Sequence, residues 1–320
     1  MNIQWKRQHI NNACVPACVA MLLSPHNINK EDFEIIFESK RPYLIKFNKS
    51  QNAFNAGVLV QFPEIVNIVA NKYNFEVINN DFENFCDYFK YAKNLIKKDI
   101  AFFTSVAQGY IPSVGYKQNK NKRGHAVIVY KIENDRFYFL DPDGGINRKE
   151  KNDFEKVIDF VSYSIHKNEV KKILEVRNKF IIGNLKKQSK FESNICICLN
   201  ESKQVLKKYS EIFREQVFSI INNNNKIGYN DFYDFIVRII KPIALDLKNA
   251  LLTIPNPSNQ ESNLISQLDE LFNSTLKIQK LLKENPDYNI ENQLDDILKK
   301  NDQIQETALI VVNDEIQRCH

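Results

Sequence analysis

The chain has 320 residues, 43% hydrophobic and 26% charged, with a net charge of +5 at pH 7, enough for one large or two ordinary domains with a real core. Its lysines are scattered in Lys-Lys doublets beginning at Lys97, Lys171, Lys186, Lys207 and Lys299, which read as solvated faces; with no dense basic stripe and no recognisable module, nucleic-acid binding is excluded. Six cysteines without framework spacing exclude a disulfide-stapled fold, and no apolar run is long enough for a signal segment or a bilayer span, so a cytoplasmic protein with reduced thiols and no membrane partner is expected.

The first informative segment runs from Gln8 to Leu22, reading QHINNACVPACVAML. Residues 16–23 are apolar and rich in small side chains, and Pro16 suits a first helical turn, where its missing N–H is of no consequence. Cys14 therefore falls at the N-terminal end of a buried helix, where free N–H groups and the helix dipole favour thiolate over thiol. Gln8, six residues earlier, carries an amide able to donate to an oxyanion. Cys18, one helical turn on, is assigned to the core.

A strand is expected over residues 100–106, followed by two β-branched and aromatic runs, 124–132 and 136–141, around a short polar turn at Glu133-Asn134-Asp135. Together these runs read as an antiparallel hairpin. His125 opens its first strand and Asp141 closes its second, so both lie near the same end. An imidazole there can accept the proton of a thiol, and a carboxylate beside it fixes the tautomer and stabilises the imidazolium. Taken singly, each residue has a plainer reading: a core cysteine, a satisfied buried histidine, a common Asp-Pro turn. It is their order and spacing that point to a thiol nucleophile site.

At these residues the chain resembles the bacteriocin-processing, double-glycine leader peptidases, family thirty-nine of the papain-like cysteine peptidases. The resemblance rests on Gln8 ahead of Cys14, the Pro16-Ala17-Cys18-Val19-Ala20-Met21 helix, His125 at the head of an apolar strand, and an Asp-Pro-x-x-Gly turn, Asp141 to Gly145, that begins sixteen residues after the histidine. It implies Cys14 as nucleophile, His125 as base, Asp141 as its orienting partner and Gln8 as oxyanion-hole donor. Gly57 and the stretch from Pro63 to Val77 are similar to the family's intervening helix and strand. The chain departs from the pattern at Ala13 and Val15, where the family usually carries an acidic residue and a glycine. A longer insert from Phe103 to Arg123, with Gly109, Pro112 and Gly115, borders the cleft and offers a differently shaped pocket. The implied fold is α+β and papain-like, followed by an all-α helical bundle.

Past Lys187 the pattern changes. Leu206, Tyr209, Phe213, Val217 and Ile220 recur at helical spacing until Asn222–Asn225 and Gly228 break the pattern. A second helical segment covers about 230–252, with a kink expected at Pro242. Leu264, Leu268, Leu271, Thr275, Ile278 and Leu282 mark a third, and Ile290, Leu294, Ile297, Ile304, Ala308 and Val311 a fourth. The expected organisation is a papain-like catalytic domain over 1–187 and a bundle over 188–320 that is structural, docks a macromolecule, or forms a homodimer through its helices. Cys196 and Cys198 lack the further ligands a metal would need, Cys319-His320 reads as a frayed terminus, and His9, His26 and His166 show no partner in the sequence. No cofactor or metal is expected.

The expected reaction starts with attack of the Cys14 thiolate on a carbonyl and gives an S-acyl enzyme. An amine acceptor would make the protein an amide-forming acyltransferase, with an acyl or peptidyl substrate carried as a thioester on an acidic carrier protein; this reading is placed first. Water as acceptor would make it a soluble leader peptidase, and a non-catalytic binding protein that keeps the pocket is the third reading.

Overall fold

The computed structural model describes residues 2–59, 63–111, 122–144, 161–187, 195–222, 229–285 and 288–319. In chain order these form α1 (Cys14–Leu23), α2 (Asp32–Glu38), β1 (Ile45–Asn48), β2 (Ala53–Ala56), α3 (Pro63–Lys72), β3 (Phe75–Phe82), α4 (Phe85–Lys97), β4 (Phe102–Ala107), β5 (Gly124–Glu133), β6 (Arg136–Leu140), β7 (Ser162–His166), α5 (Lys167–Arg177) and β8 (Phe180–Lys187). Helices α6 (Ile195–Lys207), α7 (Tyr209–Asn222), α8 (Tyr229–Phe235), α9 (Lys248–Leu251), α10 (Asn259–Glu284) and α11 (Glu291–Arg318) follow. Much of the expected insert, at 112–121, and Gly145 lie outside the described residues, as do the residues 223–228 that hold most of the asparagine run.

The chain divides into two compact units, Met1–Ile35 with Val66–Glu192, and Ile36–Ile65 with Ser193–His320. A single cut near residue 187 is the simplest division a linear reading offers. In the structure residues 36–65 go with the helices instead.

The first unit is built on a six-stranded antiparallel sheet of order β3-β8-β4-β5-β6-β7. Strand β5 is buried from His125 to Val129, and its alternation sorts the side chains. Ala126 and Ile128 join Phe103 in the cluster under α1, while Val127 and Val129 join Phe102, Phe137 and Phe139 under α4 and α5. With both faces covered, the strand is a continuous apolar run rather than an alternating one. Helix α1 is buried from Pro16 to Leu23; it is apolar all round because it lies within the core. Asn134 and Asp135, both at positive φ (49° and 57°), make the two-residue turn between β5 and β6.

The second unit has one apolar core formed by helices and the small β1–β2 hairpin. Tyr43, Leu44, Ile45, Phe54 and Ala56 pack with Leu206, Tyr209, Phe213, Leu264, Leu268, Ile304 and Val311. The Ile45 N–H donates to Ser202 Oγ at 3.1 Å, and the Tyr43 hydroxyl to Glu261 Oε1 at 3.0 Å. The stripes expected on α10 and α11 are the buried positions found there, and Asn301 is buried with them. Ser258 and Glu261 close a capping box at the start of α10. Pro242 lies within a continuous helical segment, where Ile236–Ile240 and Pro242–Leu247 are π-helical turns between α8 and α9, a wider turn that accommodates the missing N–H. The first expected helix is two, α6 and α7, divided at Lys208.

Gly183 of β8 lies opposite Phe103 of β4, so close that a Cβ built there would meet the Phe103 ring at 2.1 Å. Gly183→Ala is expected to destabilise the protein by about 1–3 kcal/mol through overpacking, read as a lowered denaturant midpoint with the slope unchanged.

Candidate active site

Cys14 begins α1, and the turn before it sets its position. Asn12 takes a left-handed conformation (φ 67°), which asparagine tolerates better than most residues, and the Ala13 N–H returns to the Ile10 carbonyl at 3.1 Å. His125 enters from the second residue of β5 and Asp141 follows the last residue of β6. The hairpin register pairs Ile128 with Leu140, which brings the two residues to the same end. His125 Nε2 lies 2.7 Å from Asp141 Oδ1, with the side chains 3% and 0% exposed. The ring's other nitrogen, Nδ1, is then the one left for Cys14, whose thiol is hydrogen-bonded to this histidine.

The electrostatics favour an ion pair. Burial pushes the Cys14 thiol up, but the hydrogen bond and charge of His125, with backbone hydrogen bonds from Ala126 and Val15, outweigh it and hold the thiol below its ordinary value. Burial pulls His125 down, yet the Asp141 charge and hydrogen bond, joined by Cys14, leave the imidazole well above its ordinary value. Cys18 behaves in the opposite way. It is fully buried, and burial together with the nearby Cys14 and Asp141 pushes its thiol well up, so it stays protonated and inert.

Three partners of Asp141 carry no motif in the sequence. The Asp143 N–H donates to Oδ1 at 2.9 Å, the Tyr163 hydroxyl to Oδ2 at 3.2 Å, and Trp5 Nε1 to the Asp141 carbonyl at 2.7 Å. Tyr163 comes from β7, so only the strand order reveals it; Trp5 is the only tryptophan in the chain but sits in no periodic pattern.

Gln8 joins the group through its backbone, its N–H donating to the Pro142 carbonyl at 2.8 Å. Its side-chain Oε1 is buried without a hydrogen-bond partner among the described residues, so that oxygen is held away from solvent with its hydrogen-bonding capacity unused. His9, which shows no partner in the sequence, pairs through Nδ1 with Asp32 Oδ1 at 2.9 Å. His26 packs against the Phe75 ring, and His166 accepts from the Asn168 N–H at the head of α5. A groove of about 510 Å³ along α4, lined by Phe82, Asp87, Lys90, Tyr91, Lys93, Asn94 and Lys97, includes none of these residues.

This arrangement can generate a thiolate, hold an imidazolium beside it and pass a proton to a leaving group. The chain belongs to the Peptidase_C39-like family, whose model matches residues 1–169, and that part of it has the papain-like α+β fold. Among solved structures, the peptidase domain of Streptococcus ComA, a bi-functional ABC transporter involved in a quorum-sensing pathway, is similar at 15% identity and a TM-score of 0.35, over 58% of this chain and 100% of that one. A protein described as a C39-like peptidase from Bacillus anthracis is similar at 12% identity and a TM-score of 0.37, over 59% of this chain and 96% of that one. No curated protein sequence matches the chain. Among the described residues no helix is long and apolar enough to cross a membrane.

The ion pair has a direct signature. Thiolate reactivity rises with pH through the Cys14 pKa and is level above it, so alkylation of Cys14 by iodoacetamide should persist at pH values where an ordinary thiol is protonated. His125→Ala removes the largest of the influences that lower that pKa and should move the rise to higher pH. Superimposable profiles for the two proteins would show that His125 does not hold the thiolate.

Proposed function

We propose that the protein is a cysteine peptidase that works through an S-acyl intermediate on Cys14. The observation that carries this reading is the Cys14–His125–Asp141 contact chain, with a lowered thiol pKa at one end and an unexposed carboxylate at the other. The thiolate attacks the carbonyl carbon of a peptide bond, Gln8 and a backbone N–H receive the developing oxyanion, and the His125 imidazolium protonates the departing amine. Water, deprotonated by the now neutral His125, then attacks the acyl carbon, and the carbon–sulfur bond breaks to release the carboxylic acid product and the Cys14 thiolate beside a restored imidazolium. Asp141 stays ionised throughout, orienting the ring and stabilising its charged form. Family membership over residues 1–169 supports water as the acceptor, and for that reason hydrolysis is placed ahead of the amine transfer that the sequence alone favours.

Val15 supports amide-forming acyl transfer as a second reading. Placed directly after the nucleophile and half-buried, it puts a β-branched side chain where a glycine would let an extended substrate backbone approach. A narrower site of that kind suits an acyl group presented as a thioester, on an acidic carrier protein for example, with an amine replacing water in the second step.

Intact-mass spectrometry after incubation with double-glycine leader peptides, and separately with acyl-carrier thioesters with and without amine, separates the readings. Wild type is expected to cleave the leader peptide, and Cys14→Ala to lose turnover by at least about 10³-fold with its fold retained. An adduct formed only from the thioester and discharged only by amine would replace the peptidase with the transferase. Cleavage that survives in Cys14→Ala would remove both.

A further inference from the structure

Asp32 opens α2 and is completely buried, yet most of its hydrogen bonds leave the helix. Its Oδ2 accepts from the backbone N–H groups of His9, at 2.7 Å, and Ile10, at 2.9 Å. Its Oδ1 meets His9 Nδ1 at 2.9 Å and the Phe33 N–H at 2.9 Å. A carboxylate serving only to cap α2 would direct both oxygens to the N–H groups of its own first turn; here three of the four bonds reach back 22 or 23 residues to the loop before Cys14.

That loop carries the proposed oxyanion donor. The Gln8 N–H is fixed on one side to the Pro142 carbonyl at 2.8 Å. On the other side the Ile10 N–H is held by Asp32, while the Ile10 carbonyl accepts from Ala13 at the head of α1. Gln8 thus lies between two anchors, one on the Asp141 turn and one on Asp32. We propose that Asp32 is a positioning residue for the oxyanion side of the site, its buried carboxylate fixing residues 9 and 10 so that the Gln8 amide meets the carbonyl oxygen of a substrate attacked by Cys14. The inference rests on the acyl-transfer reading of Cys14 and Gln8. It assigns Asp32 no contact with substrate, and it predicts that orientation fails when the anchor goes, since displacements of about 1 Å are enough to lower rates by about 10²-fold.

Two reactions of the same sulfur separate positioning from general damage. Iodoacetamide reacts with the thiolate at a saturated carbon and develops no oxyanion. p-Nitrophenyl acetate reacts at a carbonyl: sulfur bonds to the acetyl carbon, the ester C–O bond breaks, nitrophenolate leaves with the electron pair, and S-acetyl-Cys14 remains. Asp32→Asn is expected to slow acetylation about 10- to 100-fold while leaving the alkylation rate and its pH profile within about 2-fold of wild type. Gln8→Ala should slow acetylation as well, and combining it with Asp32→Asn should add little, because both remove one function. If Asp32→Asn does not fold, as judged by circular dichroism, Asp32→Glu displaces the carboxylate by one methylene and should give the same pattern.

The proposal is overturned if alkylation falls in parallel with acetylation, if the Gln8 and Asp32 effects multiply, or if either single variant acetylates at the wild-type rate. Wild type that acetylates and follows the expected pattern, but neither cleaves leader peptides nor accepts thioesters, would sink the proposed function and leave the role of Asp32 standing.

Discussion

The buried hydrogen bond between His125 and Asp141 is the constraint on which the rest of the first unit depends. A carboxylate with no exposure is tolerated only if charge and hydrogen bonds replace the water it has lost. Asp141 meets that demand from several directions: a ring nitrogen on β5, a backbone N–H in the following turn, a hydroxyl on β7, and the Trp5 indole on its carbonyl. Its own N–H donates to the Val161 carbonyl at 2.9 Å. Satisfying this one residue therefore pins together the open end of the β5–β6 hairpin, the adjoining strand and the N-terminal segment. The same set of contacts that makes the carboxylate admissible holds the imidazole in place for the thiol.

The site is a balance of opposing terms. Burial alone would keep Cys14 a neutral thiol and His125 a neutral ring, and each is drawn the other way by the charge of its partner. Cys18 shows what burial does to a thiol that lacks the imidazole: only four residues further along α1, its thiol is pushed well up. Position at the helix N-terminus and contact with an imidazole that Asp141 draws toward its charged form distinguish the two cysteines, since both sit in the same apolar segment.

Much of this was legible in the sequence because it is local or periodic. The apolar run with Pro16 in its first turn, the hairpin with Asn134-Asp135 between two strands, and the ordered Cys, His and Asp all rest on signals carried by neighbouring residues, as do the stripes on α10 and α11. What escaped the reading depends on partners brought in by topology. Asp32 looks like an ordinary acid in a helix's first turn, and nothing in its neighbourhood indicates that its bonds run back to His9 and Ile10. Tyr163 becomes a partner of Asp141 only because β7 pairs with β6. Pro142 matters through a carbonyl, which sequence patterns do not distinguish from any other.

The division into units follows the same logic. The β1–β2 hairpin comes from the amino-terminal part of the chain, yet Tyr43, Leu44, Ile45, Phe54 and Ala56 belong to the helical core. Full burial of a large apolar side chain contributes roughly 1.5–3 kcal/mol, so several such residues together rival the whole net stability of a typical domain. Glu261 adds a polar reason: it is 5% exposed, and the Tyr43 hydroxyl is one of its donors. The helices from α6 onward therefore do not form a self-sufficient bundle to which a catalytic domain has been joined at one point. They share their core with a segment inserted between α2 and α3. Gly57, at the end of that hairpin, records how closely the inserted segment fits, since a Cβ on it would lie 2.5 Å from the Asp246 carbonyl oxygen and its φ of +53° is one that glycine adopts freely.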